Sequence, residues 1–176
     1  MKKAFRIMTL FAAFAFIAAL GLFAYVRLAP SDPAVWHVGA ALSLPDAAGG
    51  GAGGGTGGGT GGGPALAATD GAVAMPGGAY AVLPLAGTDA ATLLGQLDSA
   101  AQTFARTTLL AGTPEEGRMT WITRSRIFGF PDYTTADAVT SDLGNHLIII
   151  ARQRFGREDM GVNLIRLKAW LAQLSA

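Results

Sequence analysis

The chain has 176 residues, of which 51% are hydrophobic and only 14% charged, well below the roughly 25% charged that is usual for soluble domains. Its formal net charge of +1 excludes a dedicated nucleic-acid binder, which carries a clearly basic domain. The absence of cysteine excludes a disulfide framework, a thiolate metal site and a cysteine nucleophile. Two local segments produce the skew: an apolar N-terminus, and a tract that supplies much of the glycine count of 25.

Residues 7–26 read IMTLFAAFAFIAALGLFAYV, without a charge. At about 1.5 Å rise per residue, such a run spans the roughly 30 Å hydrocarbon core of a bilayer, where a backbone without outside partners must be helical. Lys2, Lys3 and Arg6 precede the run and Arg27 follows it. The positive-inside rule therefore places the N-terminus in the cytoplasm and exports everything after Arg27. A cleaved signal peptide is the rival, but its apolar core runs about 7–15 residues. The end of this run, from Phe23 to Arg27, is a poor small-residue cleavage site, so an uncleaved anchor is the reading.

Pro30 and Pro33 break the helix. Trp36 then stands in a short apolar patch, where it either lies at the membrane interface or docks on the domain. Residues 49–63 are almost pure glycine, which loses the most backbone entropy on ordering and buries no side chain; a disordered spacer is expected. A phosphate-cradling loop is rejected, since no Gly-Lys-Ser/Thr follows and no strand precedes.

A folded domain is expected over 77–176. Residues 80–85 read as a strand that Pro84 ends or confines to an edge. Thr88 or Asp89 then caps a helix running to about Thr107, its buried stripe formed by Leu93, Leu97, Ala101 and Phe104. A turn at 112–114 leads into strands at 119–126, 133–140 and 147–152, with Asn145 and His146 in the turn before the last. A final helix over 160–174 carries a stripe of Leu164, Leu167, Leu171 and Leu174 with Trp170 beside it, and points Arg166, Lys168 and Gln173 elsewhere. The order β-α-β-β-β-α gives an α+β fold: an N-terminal transmembrane helix followed by a small antiparallel sheet with helices packed on one face.

One pattern rises above background. Arg124-x-Arg126, then Phe-Gly, then Asp132 is echoed by Arg152-x-Arg154, then Phe-Gly, then Asp159. Residues two apart on a strand share a face, so each arginine pair points one way, and adjacent strand ends would gather the four guanidinium groups at one end of the sheet. Arginine forks match carboxylates and phosphates bidentately, which makes Arg124, Arg126, Arg152, Arg154, Asp132, Asp159 and Asn163 the candidate ligand-binding set. The alternative is structural: the aspartates pair with the arginines across the turns, and Asp159 caps the last helix.

The stretches 31–38 (SDPAVWHV), 123–133 (TRSRIFGFPDY) and 151–163 (ARQRFGREDMGVN), continuing to Arg166 and Trp170-Leu171, resemble the bacterial domain-of-unknown-function family 1499. The string R-x-R-x-G-x-x-D-x-G-V-N-x-x-R is long and unusual. The resemblance covers most of the chain from Ser31 onward except the glycine tract, and departs after Val38, where Gly39 and Ala40 stand in place of a short linker and an acidic residue. It implies an envelope-associated domain, often behind a membrane helix, with no established activity.

Other chemistry finds no support. His37 and His146 are the only histidines and lie far apart, so no zinc spacing appears. Ser125 lacks a nucleophile elbow, and no pair of catalytic carboxylates presents itself. The expectation is thus a cytoplasmic tip and anchor over 1–29, an exported linker over 30–76 and the domain over 77–176. The domain sits in the periplasm of a single-pass bacterial inner-membrane protein, without catalytic residues, cofactor or metal. Its partners are the bilayer through residues 7–26 and either an envelope protein or a small anionic ligand or lipid headgroup, not nucleic acid. An unrecognised enzyme is the weakest alternative.

Overall fold

The computed structural model describes residues 2–40, 69, 71–141, 144–156 and 158–174. The expected disordered tract at 49–63 lies outside them. The chain begins with a helix, α1 (Lys2–Leu28), whose 27 residues make a rod about 40 Å long and of which, among the described residues, only the C-terminal end touches the domain. Its most apolar stretch has a mean hydropathy of 2.4 and is not buried by the described residues, so by length and composition α1 is able to cross a membrane. One turn of helix, α2 (Pro33–Trp36), follows, capped by the Asp32 carboxylate on the Ala34 amide.

The domain is α+β. Its strands are β1 (Val73–Met75), β2 (Gly78–Pro84), β3 (Thr107–Thr113), β4 (Arg118–Arg124), β5 (Pro131–Ser141) and β6 (Gly144–Gln153). Its helices are α3 (Ala90–Gln102) and α4 (Val162–Leu174). The six strands form one antiparallel sheet in the order β1-β2-β6-β5-β4-β3. β6, with its unbroken apolar run 147–151, takes an inner position, as a strand buried on both faces must.

Alternation sorts the sheet's side chains. Met119 and Trp121 of β4, Ala136 of β5, and Leu147 and Ile149 of β6 face α3 and α4, where Leu94, Leu97, Ala101, Leu167 and Trp170 complete the main core. Trp121 meets Trp170 edge to face at 5.6 Å between centroids, and its indole N–H donates to Asp98 of α3 at 2.7 Å. Ile148, Ile150 and Tyr80 point to the other face, against Ala40.

Several elements depart from expectation. The first domain helix ends at Gln102 rather than near Thr107, and β3 occupies the residues that follow. Arg106 turns the chain at φ 65, and the β-branched Thr107 and Thr108 then pair with β4. Gly112, at φ 92 beside a register shift in β3, has Arg118 O where a Cβ would stand. Asn145 and His146 belong to β6, paired with Thr140 and Val139, not to a turn. Arg166 does not point away from the core: it is 9% exposed, between Asn163 and Asp132. The expected domain start at residue 77 falls in the β1–β2 hairpin, and residues 30–40, read as part of a linker, lie on the sheet face opposite the helices.

Candidate functional site

The segment 30–40 acts as a strap across the second sheet face, and the candidate arginines are what it is tied to. Strand alternation puts Arg118, Thr120, Ile122 and Arg124 of β4 on this face, opposite Asp137, Thr135, Tyr133 and Pro131 of β5. Tyr133 in turn pairs with Arg152 of β6. The Trp36 ring lies flat on the Tyr133 ring, 3.9 Å between centroids and 6° between planes. The guanidinium carbons of Arg152 and Arg154 stand 5.9 and 5.7 Å from the Trp36 ring centre, within cation–π range.

Three of the four candidate arginines donate to backbone carbonyls of the chain that leaves α1. Arg124 Nη1 reaches Arg27 O at 3.4 Å and Gly129 O at 3.1 Å. Arg154 Nη1 reaches Pro30 O at 2.7 Å and Tyr133 Oη at 3.2 Å, and that hydroxyl also bonds Ser31 Oγ at 2.7 Å. Arg152 Nη2 reaches Trp36 O at 3.3 Å, and burial lowers its pKa. Further along the strap, His37 Nδ1 bonds Thr120 Oγ1 at 2.9 Å, and Thr120 bonds Thr135 at 3.0 Å. The amide of Ala40 donates to Asp137 at 3.1 Å, and Arg118 grips the same carboxylate with two donors.

The candidate acids and Asn163 lie elsewhere. Asp132 has the opposite parity to Tyr133 and faces α4, where both terminal nitrogens of Arg166 approach Oδ2 at 3.4 Å. Arg166 also donates to Asn163 Oδ1. Burial raises the Asp132 pKa more than Arg166 lowers it, and burial lowers that of Arg166 despite the carboxylate. The two shifts agree that desolvation outweighs attraction in this pair. Asp159 accepts the amides of Gly161 at 3.1 Å and Asn163 at 2.9 Å, capping α4. Burial alone would raise its pKa; those amides, with the Asn163 side chain and its own amide, together outweigh burial and hold the carboxyl below its ordinary value.

The seven candidates therefore do not form one constellation. Arg124, Arg152 and Arg154 meet the strap; Asp132, Asp159 and Asn163 gather at the start of α4; and Arg126 is exposed, with no hydrogen bond or ion pair among the described residues.

No family model matches the chain, and no curated protein matches it.

What sequence reasoning missed are the groups that meet Arg124 and Arg126 in space. Arg27 from the end of α1 and Arg106 from the turn before β3 join them around an open cleft of about 470 Å³, completed by Leu28, Thr108, Ser125 and Gly129. Arg106 Nε donates to the Arg124 backbone carbonyl at 3.0 Å, which fixes the Arg106 side chain. Gly129, at φ 72, lets the β4–β5 loop close on Arg27, whose Nη1 would stand 3.1 Å from a Cβ there. No spacing signal links positions 27, 106 and 124; only the fold does. Among the described residues no group of three or more His, Asp or Glu could hold a metal.

Proposed function

We propose that this is a single-pass protein of the bacterial inner membrane, anchored by α1 with its N-terminus in the cytoplasm, whose periplasmic domain is a non-catalytic interaction module fixed close to the membrane surface. The observation that carries the reading is the strap. Trp36 on Tyr133 and the three arginine–carbonyl contacts, at Arg27, Pro30 and Trp36, fasten the chain leaving α1 to the sheet. A domain that only needed a tether would be served by a loose linker. This one has its orientation to the anchor set by side chains on three strands.

The charge distribution around α1 supports the topology, because Lys2, Lys3 and Arg6 outnumber Arg27. The resemblance to family 1499 is part of this proposal. The residues that carry it have structural work: Trp36 and His37 dock the strap, Arg152 and Arg154 hold it, Asp159 caps α4, and Asn163 and Arg166 close on Asp132. That is a signature of fold and orientation, and it supports the non-catalytic reading. For a partner, Val162 and Ile165, neighbours one turn apart on the outer side of α4, are 49% and 69% exposed, next to Met160.

Two measurements test this. A reporter active only outside the cytoplasm, fused after Ala176, is expected to be active; activity only of a cytoplasmic reporter refutes the topology. A photoreactive residue at Ile165 in the full chain is expected to give a discrete protein adduct in cells. No adduct, together with turnover of any compound in a substrate panel by the purified chain, overturns the interaction reading in favour of an enzyme.

A further inference from the structure

We infer that the cleft formed by Arg27, Arg106, Arg124 and Arg126 binds the phosphate of an anionic phospholipid headgroup in the leaflet that α1 leaves; the inference rests on the membrane anchoring proposed above. The first argument is position. With residues 7–26 filling the roughly 30 Å hydrocarbon core, Arg27 and Leu28 stand at headgroup depth whatever the tilt of the sheet, and both line the cleft.

The second argument is charge. Arg27, Arg106, Arg124 and Arg126 line the cleft together with Thr108 and Ser125, and no acidic residue among the described residues does. The ion pairs among the described residues use Arg118 and Arg166, so none of the four arginines is neutralised within 4.0 Å. Like charges at this density repel one another, and a multivalent acceptor of hydrogen bonds relieves the repulsion; a phosphate offers the geometry that arginine forks match. A zwitterionic headgroup brings an ammonium into a site with no acid to receive it, so the preference is for lipids with net negative charge.

The third argument is the apolar rim. The loop that carries Arg126 continues into Ile127 and Phe128, 72% and 53% exposed. Phe128, Phe130, Phe155 and Tyr25 form a chain of ring contacts, each between 5.7 and 6.1 Å, that ends on α1 itself. A tyrosine such as Tyr25 at the end of a spanning helix favours the interface. Anchored there, the loop lays Ile127 and Phe128 on the acyl boundary and its arginine on the phosphate layer, so lipid, and not a soluble phosphate, is the ligand.

The test is native mass spectrometry of the full-length protein released from mixed micelles holding equal phosphatidylglycerol and phosphatidylcholine. Retention of phosphatidylglycerol over phosphatidylcholine is expected, and Arg126→Gln, which disturbs no internal bond, is expected to cut that preference about tenfold, the effect of one charge-assisted hydrogen bond. Arg106→Gln gives a second reading of the same site. Equal retention of both lipids, or a preference unchanged in both variants, overturns the proposal. Displacement of the lipid by millimolar inorganic phosphate makes it a soluble-anion site and overturns it too. The intact mass from the same spectrum separates the two levels of argument: a full-length chain without lipid preference refutes the cleft alone, whereas a chain lacking α1 refutes the anchored reading beneath it.

Discussion

Trp36 and Tyr133 lie parallel, 6° apart with centroids 3.9 Å from one another, though 97 residues separate them in the chain. Their contact is the centre of the strap, since Tyr133 also holds Ser31 and Arg154 through its hydroxyl. Trp36→Ala removes the ring that both Tyr133 and two guanidinium groups cover. Because Trp36 is only partly buried, the cost is expected at the low end of tryptophan truncations, about 3 kcal/mol. Undocking exposes the backbone after Arg27. Trypsin is therefore expected to cut there much faster in Trp36→Ala than in the wild type, while the hairpins of the sheet stay resistant; unchanged cutting would show that the strap holds without the stack.

Docking of the strap is expected to weaken in mild acid. His37 has its pKa lowered from 6.5, first by burial and then by Arg118, with Glu116 and Asp137 opposing. A histidine whose pKa falls on docking binds fewer protons docked than free. Docking is therefore at full strength above the free value near 6.5 and declines as pH falls from there toward the lower docked value. Tryptic cleavage after Arg27 should accelerate between about pH 7 and pH 5 in the wild type and lose that acceleration in His37→Gln. Asp132, whose pKa is raised, acts with the opposite sign and lies on the helix side of the sheet, so the local readout separates the two. A pH profile that survives His37→Gln would assign the effect to another group.

The buried pair of Asp132 and Arg166 is expected to be costly to break and cheap to replace. Desolvation shifts both groups toward their neutral forms, and Arg166 Nε is buried with no partner among the described residues. Arg166→Met leaves the Asp132 carboxylate half-buried and unpaired, and is expected to destabilise by about 3–5 kcal/mol. Arg166→Met with Asp132→Asn removes both charges and should cost clearly less than the two single changes summed. Additive losses in urea unfolding would mean that the two side chains contribute independently.

How much of this was legible in the sequence depends on the range of the signal. α1, β2, β4, β6 and α4 announce themselves by local hydropathy, and the alternation rule correctly put Arg152 and Arg154 on one face. β3 did not, because on this edge strand the residues TTLLAGT do not alternate in burial, so no period-2 signal marks it. Asp132 misled because eight residues and a turned loop separate it from Arg124: parity along one strand says nothing across a loop with Gly129 at φ 72. Arg166 misled because a charged residue beside a leucine stripe ordinarily marks the wet side, and its buried partner comes from a different strand. The cleft was invisible because Arg27 and Arg106 are single arginines in unremarkable contexts: β3–β4 pairing sets Arg106 beside Arg124, and only the packing of the end of α1 against the β4–β5 loop adds Arg27.

The start of α4 gives the last prediction. Asp159 accepts two amides, from Gly161 and Asn163, and places Asn163 so that its side-chain oxygen meets Arg166. Asp159→Ala therefore removes the cap and loosens the residue that orients the buried arginine. The cap alone is worth about 1 kcal/mol, within a range of 0.5–2 for such losses. Its pH dependence follows from the amide donors, which hold the folded pKa below 3.8 even though burial pushes the other way. The native state then binds fewer protons than the unfolded one. The stabilisation is complete above the unfolded value and disappears as pH drops through the lower folded value. In chemical unfolding the gap between wild type and Asp159→Ala should accordingly be constant from pH 7 to about pH 5 and shrink below pH 4. Asp159→Asn, which keeps an acceptor but no charge, should recover part of the loss at neutral pH. Equal stability of the Ala and Asn variants would mean that the charge, and not the hydrogen bond, holds the end of α4.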